Sequence, residues 1–478
     1  MQKAVFTRGS PTKHIIVMTS ASAVGLLTLF TVDLVDMYFL SLLGQEELAA
    51  AIGFSGTLLF FLTAVSIGLQ IAMGALVARA EGAHDREQAG DYCTSVMVFS
   101  GLISAFISLP AWFYRDQLLV FLGAGGETLV FASAYSNILL PTTPLLTVGL
   151  CAAAALRAMG DARRSMYVTL WAALANAVLD PVFIFGLGWG IEGAAVASLA
   201  SRVVLLLIAC RALFFVHALP TQFRWLKLRR DMSAIIPIAA PALLTNLATP
   251  IGAAYVLKTM ASFGDGAVAG AAILGRITPV AFAAVFSLSS AIGPIVGQNA
   301  GAGLYLRVRQ SLMSALLLNV GYSLVVWLML FLLNGSIVRA FDAGGDAADL
   351  IHFYTHWLVA GFMFNGMLFI ANASFNNLHR AYLATLFNFL RMSLGTIPLV
   401  YLFSRWFGAA GVLAGEMAGA VVFGSLAFVT ALWHVGRLDS LDQAVVSQHE
   451  SVDDSAPWPF SSPRTQLSQS CTRTEAGE

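Results

Sequence analysis

Charge is scarce in this sequence. Only 11% of the 478 residues are Asp, Glu, Lys or Arg, where a soluble globular domain has about 25%. The charges also balance, 26 basic against 26 acidic. No excess of one sign exists to hold a polyanion, and a nucleic-acid partner is set aside. Cysteine is nearly absent as well. Cys93, Cys151, Cys210 and Cys471 have no paired spacing, which argues against a disulfide framework or a thiolate metal cluster. Period-2 alternation is missing too, which excludes a membrane β-barrel.

What is present is apolar: 58% of the residues are hydrophobic and the mean hydropathy is +0.78. A membrane-crossing helix needs roughly 20 such residues. About twelve segments qualify, near 15–43, 48–78, 92–114, 128–155, 165–187, 191–215, 234–263, 267–297, 311–333, 347–375, 381–404 and 409–434. The expected fold is therefore an all-α polytopic membrane protein. Lys and Arg cluster in alternate loops, at Arg79, Arg86, Arg157, Arg163, Arg164, Arg224, Lys227, Arg229, Arg230, Arg307, Arg309, Arg380 and Arg437. The other loops hold only Arg115, Arg339 and Arg405. By the positive-inside rule both termini are expected in the cytoplasm. Residues 1–14 read as a cytoplasmic leader with no removed signal peptide, and 438–478, rich in Ser, Gln, Thr and Asp, as a disordered cytoplasmic tail.

The chain repeats itself at about half its length. "LGQEELAA" (43–50) recurs as "FGDGAVAG" (263–270), "VARAEGA" (77–83) as "VGQNAGA" (296–302), and "GIEGAAVAS" (190–198) as "GAAGVLAGE" (408–416), at offsets of 220, 219 and 218. The nearly constant offset predicts two six-helix lobes, 15–216 and 234–437, joined by a cytoplasmic linker, 217–233. Internal repeats of this kind are a transporter signature.

Ionisable groups in mid-membrane cost about 2.5–3.5 kcal/mol each on insertion scales, so each asks for a reason. "NAVLDP" (176–181) places Asn176 and Asp180 four apart on one face of a predicted helix. Asp33 and Asp36 stand three apart in the first span. Two carboxylates so close cannot both ionise cheaply, which suits proton exchange; carboxylate, amide and hydroxyl oxygens together would also suit Na⁺. Pro181 removes a backbone donor and is expected to loosen the fifth span. At the repeat offset these acids are replaced by Ala253, Val256 and Pro398, while Ser198 becomes Glu416. Glu416 is read as an auxiliary acid or as the partner of an intramembrane arginine. Lys258, Arg276 and Arg391 lie in second-half spans and Arg202 in the sixth. His352 and His356, beside Asp349, are read as structural rather than as a metal face, since no third span-borne ligand accompanies them.

"DMYFLSLLGQEELAA" (36–50), "EGAHDREQA" (81–89), "LRAMGDARRSM" (156–166), "NAVLDPVFIFGLGWGIEGAAVAS" (176–198) and "VGQNAGAGLYLRVRQ" (296–310), in that order, resemble the MATE (multidrug and toxic compound extrusion) transporters, closest to their DinF-like branch. The likeness runs over about residues 15–437. It implies two six-helix lobes in a V around a central cavity and export of cationic or amphipathic organic compounds in exchange for H⁺ or Na⁺. The implied coupling site is Asp36, Asn176, Asp180 and Ser198, with Asp33 and Glu416 as possible auxiliaries. Cavity walls rich in Phe, Met and Trp would suit flat, varied substrates. The resemblance implies no catalysis, no cofactor beyond the coupling ion and no metal other than Na⁺ at that site. It further implies a monomer in the inner membrane of a prokaryote, with the lipid bilayer and small organic molecules as partners. The chain departs from the family in carrying Ala21 where many members have a first-span proline, while the repeat counterpart Pro241 is present. A flippase for a lipid-linked sugar or polysaccharide precursor is the alternative, with the intramembrane cations gripping a pyrophosphate.

Overall fold

The computed structural model describes residues 4–41, 46–219 and 224–454, without the side chains of 33, 34, 36–38, 40, 41, 46, 49, 248–251 and 442–454. Among these residues the chain is helical throughout, with no strand. That follows from the medium, because lipid offers no partner to a backbone amide and only a helix satisfies every one within its own segment.

Among the described residues nine helices are long and apolar enough to cross a membrane, and eleven crossings result when two bent pairs count as one span each. The last helix, Ala381–Leu441, is 61 residues long, several times what a bilayer of about 30 Å requires. It is in fact two spans, divided at Gly408, whose φ of 59° is non-helical. The twelve expected spans are thus present. The turn at Gly408 repeats the turn at Gly190, where φ is 53°, and the close packing around them repeats too. A side chain at Gly193 would strike the backbone of Phe183 at 2.7 Å, and one at Gly411 would strike that of Phe403. The duplicated sequence is a duplicated hairpin.

The two bent spans are Gly126–Leu139 with Thr143–Ala158, at 52°, and Asp265–Ala281 with Ala283–Gly301, at 46°. Breaking a helix leaves carbonyls without intrahelical partners. Arg202 answers the first break, donating to the Leu139 carbonyl and to the Thr142 hydroxyl, each at 2.7 Å. Tyr322 answers the second, donating to the Ala281 carbonyl at 2.8 Å.

The lobes meet at the end of the molecule that carries the Arg-rich turns, the basic end. Gly82 lies against the Gln298 backbone and Gly301 against the Arg79 backbone. Residues 79 and 298, and 82 and 301, are repeat equivalents, so one contact is made twice about a pseudo-twofold axis, as in an isologous interface. Buried clusters join the lobes in this half, one containing Leu69, Met73, Ile235 and Ile238 and another Met18, Ala162, Ile292 and Ile295. Toward the opposite end the clusters of described residues stay within one lobe. The V therefore closes at the basic end.

The expected leader is part of this closure. Phe6, 2% exposed, donates its amide to Gln298 Oε1 at 2.9 Å, and Gln298 Nε2 donates to the Ala158 carbonyl at 2.7 Å. The linker is shorter than expected, since the seventh span starts at Trp225. Lys227 binds both oxygens of Asp91 at 2.8 and 2.7 Å, and Ser95 donates to Asp231 at 2.6 Å. The last helix continues to Asp454, so the first part of the expected disordered tail is helical. Residues 455–478 lie outside the described residues.

Candidate functional site

The fifth span, Ala162–Pro181, brings Asn176 and Asp180 together: Asn176 Nδ2 donates to Asp180 Oδ2 at 2.9 Å. The residues are 3% and 0% exposed. A buried carboxylate needs donors, and an amide one helical turn away on the same face supplies one. Regular α-helix stops at Pro181. The next turn, Val182–Gly186, is a π-helix in which Leu187 donates to the Val182 carbonyl at 2.9 Å. Pro181 has no amide hydrogen and loosens the ladder, and π-turns of this kind concentrate at functional sites.

Two neighbouring helices frame the pair. In the sixth span Ser201 donates to the Ala172 carbonyl at 2.8 Å, and this antiparallel register sets Ser198 at the height of Asn176. The first span, Pro11–Ser41, runs parallel to the fifth, and an added Cβ on Gly25 would meet Thr169 at 2.8 Å. Carried along both helices in step, that register pairs residue 36 with residue 180. The side chains of Asp33 and Asp36 themselves lie outside the described residues.

The second half differs, as its sequence requires. Glu416 lines a chamber of about 450 Å³ with Tyr354, Phe362 and Asn365. Arg391, 8% exposed and held in a π-turn, Arg391–Thr396, donates to Asn365 Oδ1 at 2.9 Å. Arg391 is thus the arginine near Glu416, but its bond goes to an amide and no ion pair with Glu416 forms among the described residues. Of the other cations that a precursor flippase would use, Lys258 and Arg276 are exposed and Arg202 is engaged at the helix break. His352 and His356 share the Asn334 amide, at 2.6 and 3.1 Å, and no cluster of three metal-ligating side chains occurs among the described residues.

Between the lobes lie two adjoining chambers of about 490 and 190 Å³, sharing Gln70, Arg157, Phe286 and Ser290. The larger is lined by the first span from Ala21 to Phe30, by Ser165, Met166 and Thr169 of the fifth, and by Pro279, Phe286 and Ser287. Among the described residues its aromatic and sulfur lining is Phe30, Phe286 and Met166, without tryptophan. Arg157 corrects a further expectation. Counted from sequence among the loop cations, it stands in the last turn of Thr143–Ala158 and reaches into both chambers.

The whole arrangement, two repeated lobes closed at one end over a central cavity, can be compared with known proteins. A family model described as MatE matches residues 21–182 and again residues 241–402, together more than half of the chain. The chain belongs to the MATE family. Its two matches fall one in each lobe and end before the last span of each. Relatives within reach include a FAD transporter of Shewanella oneidensis, 27% identical over 83% of this chain and 89% of that protein. Another is the multidrug export protein MepA of Staphylococcus aureus, 24% identical over 82% of this chain and 86% of that protein. Among solved structures, the Vibrio cholerae MATE transporter VcmN in its bent form is similar with a TM-score of 0.85 at 25% identity, covering 90% of this chain and 98% of that one. MATE proteins are transporters and not enzymes, and this chain is a multi-pass membrane transporter of small molecules.

Proposed function

We propose that the protein is a secondary antiporter that exports amphipathic organic compounds by alternating access in exchange for H⁺ or Na⁺, with Asp36 and Asp180 as the coupling acids. The observation that carries this reading is the buried Asn176–Asp180 hydrogen bond directly before a π-turn. A charge change at Asp180 acts there on a helix whose backbone is already loosened. In this reading Asp36, on the parallel first span, is the second acid, Ser198 offers a hydroxyl at the same height, and Asp33 and Glu416 are auxiliary acids.

The Arg-rich turns set the basic end in the cytoplasm of a prokaryotic cell, with both termini there. The closed basic end then makes this an outward-facing state. Binding of the ion at the two acids favours release of the substrate outside, and the ion leaves inside after the lobes rock. A ligand shifts such an equilibrium only by its differential affinity for the two states, so ion and substrate must compete or couple. The cycle uses a monomer and no cofactor beyond the ion. The names of its relatives, one for FAD and one for multidrug export, leave the substrate to be found from this chain's own cavity.

The test is substrate flux in proteoliposomes under separately imposed pH and Na⁺ gradients, with wild type, Asp36→Asn and Asp180→Asn. One of the two gradients should drive export by wild type, and each variant should lose at least roughly tenfold of that flux. Gradient-driven export that persists in both variants overturns the site.

A further inference from the structure

We infer that the floor of the central cavity is built to receive the anionic group of an amphipathic substrate, with Arg157 as its counter-charge. This rests on the export reading above and names the substrate class of the same cavity. Arg157 lines both chambers. Its one hydrogen bond runs from Nη1 to the Ser165 hydroxyl at 2.8 Å, and no carboxylate of the described residues pairs with it. A cation in a cavity of low dielectric keeps its charge at a cost unless an anion joins it. Of the remaining polar lining, the Ser165, Thr169 and Ser290 hydroxyls donate to backbone carbonyls, the Asn376 and Asn377 oxygens of the smaller chamber are acceptors without a partner, and two hydroxyls of the larger chamber are free to donate. The Ser22 and Ser287 hydroxyls are buried without a hydrogen-bond partner, and both line the larger chamber. Neither chamber has an acidic residue among its described lining.

Part of this placement is structural, because the Ser165 hydroxyl that accepts from Arg157 donates in turn to the Ala153 carbonyl at 3.0 Å and ties the fourth span to the fifth. That tie engages one guanidinium nitrogen, and the residue still lines both chambers. The acids of the N-terminal lobe stand on another level. Ala21 lines the floor, and residue 33 lies twelve residues further along the same helix, about 18 Å at 1.5 Å per residue. An apolar body fits between, against Leu26, Leu29, Phe30 and Phe286. The class is therefore an aromatic or aliphatic compound bearing a carboxylate, sulfonate or phosphate, since a guanidinium serves all three.

Two xanthene dyes of similar shape and opposite charge test this: fluorescein, an anion, and rhodamine 6G, a cation. Binding to the purified full chain is read by fluorescence polarisation, and flux in proteoliposomes under pH and Na⁺ gradients. Fluorescein should bind at least roughly tenfold tighter than rhodamine 6G. Arg157→Gln should lose that advantage, and Arg157→Lys, which keeps the charge, should restore most of it. Tighter binding of rhodamine 6G by wild type, an unchanged fluorescein affinity in Arg157→Gln, or no binding of either dye overturns the inference. Fluorescein that binds through Arg157 but moves under neither gradient upholds the anion site and overturns the antiport reading.

Discussion

At Asp180 the chain keeps a carboxylate at 0% exposure, with the Asn176 amide one turn below it donating at 2.9 Å. Removing a donor from a buried acceptor costs about 1–3 kcal/mol. Asn176→Ala should therefore lower the unfolding temperature in detergent measurably, and a stability equal to wild type would mean that the amide does not support the acid. A second residue-scale expectation concerns Asp161, in the turn between the fourth and fifth spans. Burial raises its carboxyl, but hydrogen bonds from His217 and from the side chain and backbone of Arg164 outweigh that and hold it at about 2. A depressed carboxyl contributes stability that is full above the ordinary value of 3.8 and is lost as pH falls through the folded value. Acid unfolding of wild type should thus show a component between about pH 4 and 2 that Asp161→Asn lacks, measured by intrinsic fluorescence across an acid titration.

The elements show which parts of the molecule its sequence makes legible. Twelve spans follow from runs of apolar residues because each run is contiguous and its length is set by the bilayer. The repeated turns at Gly190 and Gly408 are equally local, since a left-handed backbone position favours glycine and leaves that residue in the sequence. The π-turn after Pro181 was foreshadowed by the proline. The 52° break in the fourth span was not, because the residue that supports it, Arg202, lies 60 positions or more from Leu139 and Thr142. Arg202 therefore carries an element-scale prediction. Arg202→Ala removes the charged donor to the Leu139 carbonyl and leaves it the Thr142 and Thr143 hydroxyls, at 2.9 and 3.4 Å, so it should destabilise the protein by about 0.5–1.5 kcal/mol, the net worth of one hydrogen bond. Both bonds leave the same nitrogen, Nη1, so Arg202→Lys, which can place one ammonium there, should keep most of the wild-type stability, read as thermal stability in detergent.

At the scale of the whole molecule, closure of the basic end is set by backbone on backbone at Gly82 and Gly301. Gly82→Leu should prevent this closure. A cysteine probe introduced by Ser290→Cys in the shared chamber should then label from the basic end with a membrane-impermeant thiol reagent, at least roughly tenfold faster than in the Gly82 parent. The same seam carries a pH sensitivity. Arg79 bonds across it to His379, and burial, together with the Arg79 charge, lowers the His379 imidazole to about 4. A lowered histidine means that closure is strongest above the ordinary value of 6.5 and weakens as pH falls toward 4. Spin-label distances across the seam should lengthen between pH 7.5 and 5, about the range over which an unperturbed histidine titrates. His379→Gln should abolish that change.

The sequence by itself determined the class, the span count, the two lobes and the acid-bearing half, because each is written in contiguous residues or in a repeat at fixed offset. Only the tertiary structure decided where side chains meet across that repeat. It turned Arg157 from a loop cation into the floor of the cavity, bonded Arg391 to the Asn365 amide, and packed Phe6 against the seam between the lobes. The physical reason is register. Which faces of two helices touch depends on their relative height and rotation, set by small residues such as Gly25, Gly82 and Gly301 that allow close approach, and no local pattern encodes which distant residue stands opposite.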